Sequence, residues 1–164
     1  RVGLNGKTFT MFKFRTMRVD AEELKASLME ANEADSSAGN SIMFKMANDP
    51  RITRIGAFLR KTSIDELPQL WNVFIGDMAF IGPRPERKYF IDQIMAVDPR
   101  YKYLYQVRPG VTSYATLHNG YATTLEEMLT RLESDLYHLQ HRSLLFNLKI
   151  LFKTFISIIS GKKF

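Results

Sequence analysis

Six prolines, all between Pro50 and Pro109, set the first limit on what this chain can build. Proline locks its own φ and has no N–H to donate, so neither a helix interior nor a central strand runs through it. Asp49-Pro50, Pro68, Gly82-Pro83-Arg84-Pro85, Asp98-Pro99 and Arg108-Pro109-Gly110 therefore divide the middle of the chain into short elements joined by turns. One of these elements is a short amphipathic helix expected over residues 52–60, with Arg51, Arg54 and Arg60 along it.

Longer patterns lie on either side. Asn5-Gly6, between extended-looking pieces at 1–4 and 7–14, predicts an N-terminal β-hairpin. In its second strand Phe12 and Phe14 alternate with Lys13 and Arg15, which would bury aromatics on one face and offer cations on the other. Asp20 and Glu23 have capping-box spacing ahead of a helix over 22–33, and residues 34–50 read as a loop or lid. Thr124 and Glu127 repeat the spacing at the start of a helix over 124–141.

Residues 143–160 are helical in pattern, and at about 100° per residue they divide into two faces. Leu144, Leu145, Leu148, Leu151, Phe152, Phe155, Ile156, Ile158 and Ile159 share a wide apolar face. Asn147, Lys149, Lys153, Thr154, Ser157 and Ser160 lie opposite, with Phe146 and Ile150 intruding among them. Such a helix fits a membrane interface, and it fits a terminal helix docked on a core equally well. It does not fit a spanning helix, because Lys149 and Lys153 would sit near mid-bilayer.

Composition narrows the classes of function. With 164 residues, 45% of them hydrophobic, the chain is long enough for a single domain with its own core. A net charge of +6 points to a polyanionic partner: nucleic acid, an acidic membrane surface or a phosphorylated substrate. The lack of cysteine excludes disulfides, thiolate metal sites and a cysteine nucleophile. Three histidines (His118, His138 and His141) argue against a multi-histidine zinc site. The chain opens at Arg1 without an initiating methionine, as a segment of a longer protein would.

The stretch from Arg60 to Glu86 carries the chemistry. Adjacent carboxylates at Asp65 and Glu66 are followed by Pro68. Ser63 and Glu66 have capping-box spacing, so the pair can be read as a helix cap. Alternatively Asp65 is itself the cap and Pro68 falls in the first turn, where a missing donor is not needed. Either way Asp65 is expected near a positive helix end, which keeps its carboxylate ionised and attracts phosphate oxygens. Arg60, Arg84 between two prolines, and Arg108 before Pro-Gly are cations aimed by a stiff backbone. Their planar forks suit phosphate, although each singly also reads as a surface charge.

Several stretches, in order, resemble a known family. They are Lys13-Phe14-Arg15-Thr16-Met17, Asp49-Pro50-Arg51-Ile52-Thr53-Arg54-Ile55-Gly56, the run from Leu59 to Val73 through Asp65-Glu66-Leu67-Pro68, Gly76-Asp77-Met78, Gly82-Pro83-Arg84-Pro85 and Arg108-Pro109-Gly110-Val111-Thr112. Together they resemble the bacterial sugar transferases, the monotopic polyprenyl-phosphate phosphoglycosyl transferases, over nearly the whole chain.

The resemblance implies a magnesium-dependent enzyme on the cytoplasmic face of the bacterial inner membrane. Its substrates would be a UDP-sugar and undecaprenyl phosphate, at an anionic membrane surface, with no nucleic acid partner. The family's Asp-Glu dyad falls on Asp65 and Glu66, with Asp65 the nucleophile and both carboxylates offered to Mg2+. Arg60, Arg84, Arg108 and Arg15 become the candidate phosphate contacts. The family often carries Gly-Trp where this chain has Ser113-Tyr114, and its membrane-inserted segment is expected just before Arg1. The fold expected is α+β: a mostly helical single domain over 1–164, with a small N-terminal β-hairpin and an amphipathic C-terminal interfacial helix. Without catalysis, the same basic surface and tail would make a membrane-peripheral module. No recognised motif supports nucleic-acid binding.

Overall fold

The protein is described from a computed structural model covering residues 1–24, 49–120, 122 and 124–160. The proline and glycine punctuation sets the element boundaries. Helix α1 (Arg54–Lys61) begins after Thr53, whose hydroxyl accepts from the Gly56 N–H. Helix α2 (Gln69–Phe74) begins at Pro68 and stops ahead of Gly76, which has a φ of +87°. Strand β1 (Ala79–Ile81) leads through Gly82-Pro83-Arg84-Pro85 to α3 (Lys88–Val97). A 3-10 stretch (Pro99–Gln106), capped by the Asp98 side chain, returns to β2 (Gly110–Thr112). Helices α4 (Tyr114–Asn119), α5 (Leu125–His141) and α6 (Leu144–Ile159) follow.

The strands β1 and β2 are parallel, pairing Ala79 with Gly110 and Ile81 with Thr112. Parallel pairing needs a crossover, and α3 with the 3-10 stretch supplies it. Past β1 the two chains approach so closely that a Cβ on Gly110 would lie 2.1 Å from the Gly82 nitrogen. Only glycine fits there. The core lies between the crossover and α5, where Ile91, Ile94, Tyr101, Leu104, Met128, Leu132 and Leu136 are buried together with Val2. Helix α5 opens with a complete capping box between Thr124 and Glu127, as the spacing predicts.

The expected N-terminal hairpin does not form. Asn5 and Gly6 do take positive φ and make the turn, but pairing stops at one antiparallel bridge between Val2 and Thr8. Beyond Phe9 the backbone spends its hydrogen bonds elsewhere. Asn72 accepts from the Phe12 N–H and donates to the Thr10 carbonyl, and Asp65 accepts at its backbone oxygen from Phe14. The sheet is instead the parallel pair at 79–81 and 110–112. Residues 21–24 are helical, and the rest of the expected 22–33 helix and nearly all of the 34–50 lid lie outside the described residues.

Helix α6 docks by its polar side. Asn147 bonds His138 on α5 at 2.8 Å, and the Thr154 and Thr112 hydroxyls meet at 2.8 Å. Ile150 is 1% exposed, and Phe146 packs edge-on against Tyr114, Tyr137 and His138. The two apolar intruders on the polar face are thus its packing residues. Leu144, Leu145, Leu148, Phe152, Phe155 and Ile156 point outward and are exposed. Among the described residues, no helix is long and apolar enough to cross a membrane.

Candidate active site

Asp65 reaches its place through a break in the helices. After α1, Ser63 turns the chain with a left-handed φ of 57°, and Ile64–Glu66 forms a single 3-10 turn before Pro68 starts α2. The Ser63 side chain makes no cap, and α2 has no side-chain cap either. Both capping readings therefore give way. Steric restriction at Pro68 ends the preceding turn, leaving the acids between two helices rather than on the end of one.

A strap of residues 10–18 crosses over this break. Asn72, fully buried, holds its Thr10 and Phe12 backbone. Thr16 anchors the other side: its carbonyl accepts from the Thr53 N–H and its hydroxyl accepts from Arg60 Nε at 2.8 Å. Helix α1 comes close enough to the strap that a Cβ on Gly56 would lie 1.9 Å from the Thr16 carbonyl oxygen. The strap carries Lys13 to the dyad, where its Nζ lies 2.5 Å from Glu66 Oε1. From the opposite side Arg84 Nη2 lies 3.7 Å from the same oxygen.

The two carboxylates sit in different electrostatic surroundings. Asp65 is 9% exposed, and burial pushes its pKa above the ordinary value. Lys13 and Arg60 oppose that rise, and the neighbouring Glu66 charge adds to it. The helix end expected to favour the charged carboxyl is absent, and burial acts in the opposite direction. For Glu66 burial also acts upward, but Arg84 and Lys13 together override it and hold the carboxyl below its ordinary value. The dyad thus pairs a charge-compensated glutamate with an aspartate whose charge is poorly stabilised.

The predicted arginines divide accordingly. Arg84 is at the dyad, and Arg60 is close enough to act on Asp65 electrostatically. Arg108 is turned to the Gly76 carbonyl, 2.7 Å from its Nε. Arg15 is exposed and pairs with none of the described residues. The strand alternation that placed Lys13 and Arg15 on one face fails because the strap is not a strand. Asn72 was not singled out by sequence reasoning, and a polar residue inside the otherwise apolar Leu70–Val73 run is the signal that could have found it.

The dyad fits magnesium as a partial ligand set. Among the described residues no cluster of three or more acidic, histidine or cysteine side chains could enclose a metal. Magnesium commonly takes one or two carboxylates and completes its shell with substrate phosphate and water. Ser113 and Tyr114, where the family often has Gly-Trp, have structural work here. Ser113 caps α4, and Tyr114 packs against His118, Tyr137 and Phe146, joining α4, α5 and α6.

The sequence matches the bacterial sugar transferase family over residues 1–161. It is 37% identical over 161 residues to the UDP-N-acetylgalactosamine-undecaprenyl-phosphate N-acetylgalactosaminephosphotransferase of Aeromonas hydrophila, covering 98% of this chain and 34% of that protein. It is 37% identical over 156 residues to the UDP-glucose:undecaprenyl-phosphate glucose-1-phosphate transferase of Escherichia coli, covering 94% of this chain and 30% of that protein. The undecaprenyl-phosphate galactose phosphotransferase of Salmonella typhimurium is 38% identical over 158 residues, with 94% and 31% covered. The chain thus spans about a third of the length of these curated relatives, and the three differ in the sugar named. On this match, which leaves out only the last three residues, the chain belongs to the bacterial sugar transferase family.

Proposed function

We propose that this chain is the catalytic domain, over residues 1–164, of a transferase that moves a sugar-1-phosphate from a UDP-sugar to undecaprenyl phosphate, beginning a glycan on a lipid carrier. The observation that carries the reading is the Asp65–Glu66 dyad, with one carboxylate buried and the other held between Lys13 and Arg84. In the first step an Asp65 oxygen attacks the sugar-bearing phosphorus. The bond from that phosphorus to the bridging oxygen breaks, and UMP leaves. In the second step an oxygen of the lipid phosphate attacks the same phosphorus, the bond to Asp65 breaks and its carboxylate is restored.

Repulsion between a carboxylate and a diphosphate opposes the first step. Lys13, Arg60 and Arg84 put positive charge around the point of attack, which in phosphoryl transfer is a large part of catalysis. Bond formation also removes the Asp65 charge that burial disfavours. Magnesium, held by Glu66 and Asp65 with the donor's diphosphate, would neutralise the phosphate oxygens. Arg108 and Arg15 would meet phosphate only at the periphery.

The acceptor's hydrocarbon stays in the bilayer, so the site must work at headgroup level. The outward face of α6 supplies an interfacial surface for this, on the cytoplasmic face of the inner membrane where UDP-sugars are available. The test is UMP release by membranes containing the chain, supplied with undecaprenyl phosphate and a panel of UDP-sugars. Release that requires magnesium and disappears in Asp65→Asn supports the reading, and release that survives in Asp65→Asn removes the covalent step.

A further inference from the structure

Behind the Pro83-Arg84-Pro85 turn lies a buried charge network that the catalytic scheme does not use. Arg131 on α5 is 7% exposed, and its Nη1 lies 3.6 Å from Glu86 Oε1. Asp135, one turn further along α5, is 6% exposed, and burial pushes its carboxyl up to about 7 against the pull of Arg131. Arg131 Nε and Asp135 Oδ1 are buried and meet no hydrogen-bonding partner among the described residues. Both residues line a cavity of about 20 Å³, which is room for one water. Arg84, Glu86 and Tyr101 line the same cavity.

A buried, incompletely satisfied ionic cluster is costly for stability. Its place in the fold gives it a use. Glu86 ends the turn that carries Arg84, and the turn is held by backbone at both ends. The Gly82 N–H donates to Thr112, Gly110 donates to Pro83, and Val2 donates to Glu86. Between those ties the Arg131–Glu86 pair joins the turn to α5 through side chains. Glu86 is also the counter-charge for a crowded set of cations. Arg1 is attracted by Glu86 and repelled by Arg84 and Arg87. Glu86 thus offsets repulsion in the cation group to which Arg84 belongs, and Arg84 itself lies 3.7 Å from Glu66.

We propose that Glu86 is a positioning residue: clamped by Arg131, with Asp135 behind it, it sets the turn and so aims Arg84 at the dyad. The proposal rests on the dyad being the reactive site, so its test separates the two ideas. A double-mutant cycle on Glu86→Gln and Arg84→Lys is read both as kcat/KM for UMP release and as Kd for UDP with magnesium. Glu86→Gln alone should lower kcat/KM about 10- to 100-fold, the usual scale for a residue that orients a binding side chain. Added to Arg84→Lys it should cost less than about twofold more, because both changes remove one contact.

Losses that multiply would overturn the proposal, as would a folded Glu86→Gln protein within about twofold of the parent. If Glu86→Gln gives no cooperative melt, Arg131→Lys replaces it, keeping the charge opposite Glu86 but not the fork. A smaller loss with the same lack of additivity supports the proposal, and full activity overturns it. A parent chain that binds UDP without releasing UMP would sink the transferase reading alone, because the cycle can still be read on Kd.

Discussion

The strap over Asp65 and the helix α6 handle water in opposite ways. Around Asp65 polar groups are taken inside: Asn72 is fully buried, Asp65 and Thr16 nearly so, with Asn72 and Thr16 engaged in specific bonds. Along α6 the polar residues Asn147 and Thr154 turn inward to named partners, and leucine, isoleucine and phenylalanine are left outside. One region gives up solvation to hold charges in a fixed arrangement, and the other leaves apolar area uncovered. Both are expensive in water. Each fits the proposed function, in which the site would meet an anionic diphosphate and α6 would meet hydrocarbon.

The largest expected effect breaks the first half of that comparison. Asp65→Asn should lower UMP release by about 10³-fold or more, as loss of a covalent nucleophile does. It should also raise the melting temperature at neutral pH. The sign follows from the raised pKa of Asp65. Its contribution to stability is full below the ordinary carboxylate value and is lost as pH rises through the raised one. Asparagine does not ionise, so the gain over the parent should shrink as pH falls to the ordinary aspartate range. Equal melting temperatures at every pH would mean that burial does not tax this carboxylate.

The second test bears on α6. Phe152→Ser with Phe155→Ser should leave the melting temperature nearly unchanged, since both rings are more than half exposed. Vesicle binding measured by co-sedimentation should weaken about 10²-fold, at about 2 kcal/mol for burying a phenylalanine, discounted for the part of each ring already against the protein. A large fall in melting temperature with unchanged vesicle binding would show that this face packs against protein instead.

Asn72→Ala sharpens the first half again. It leaves the Phe12 N–H and the Thr10 carbonyl without their partner, which costs roughly 1–3 kcal/mol by denaturant titration. Activity should fall with it, because the strap carries Lys13. The smallest effects separate two neighbours on that strap. Lys13→Gln should reduce kcat/KM about tenfold by removing a charge-assisted bond to Glu66, whereas Arg15→Gln should stay within about twofold, as exposed charges do. Equal losses at both positions would point to net charge rather than to the Lys13–Glu66 contact.

Legibility in the sequence followed how local each cause was. Asp65, Glu66 and Arg84 could be singled out as candidates locally: an adjacent acid pair shortly ahead of Pro68, and an arginine between two prolines. The α5 capping box and the start of α6 were equally local, while α1 begins at Arg54, two residues later than expected. Asn5-Gly6 announced a turn correctly, but a turn says nothing about where the next strand's hydrogen bonds go. Here they go to Asn72 and Asp65, some fifty to sixty residues away. The same distance hid the choice of Lys13 over Arg15. For α6 the wheel separated the faces and could not say which one docks. That was decided by His138 and Thr112, which offer Asn147 and Thr154 better partners than water.

The way the strap is tied also sets how the site opens. Its first part is held by hydrogen bonds at Thr10, Phe12 and Phe14, while Phe12 and Phe14 remain 41% and 52% exposed. Thr16, Met17 and Arg18 are tied more firmly, to Thr53, Arg60, Ile52 and Arg51. Little apolar surface is lost if the first part lifts, and none of the core between α3 and α5 has to move. Segments of this kind detach at a free energy well below global unfolding. The Phe12 and Phe14 amides should therefore exchange with deuterium by local opening, with little dependence on denaturant, while amides of α5 exchange only with the whole domain. Each opening takes Lys13 from Glu66 and so uncouples that cation from the dyad.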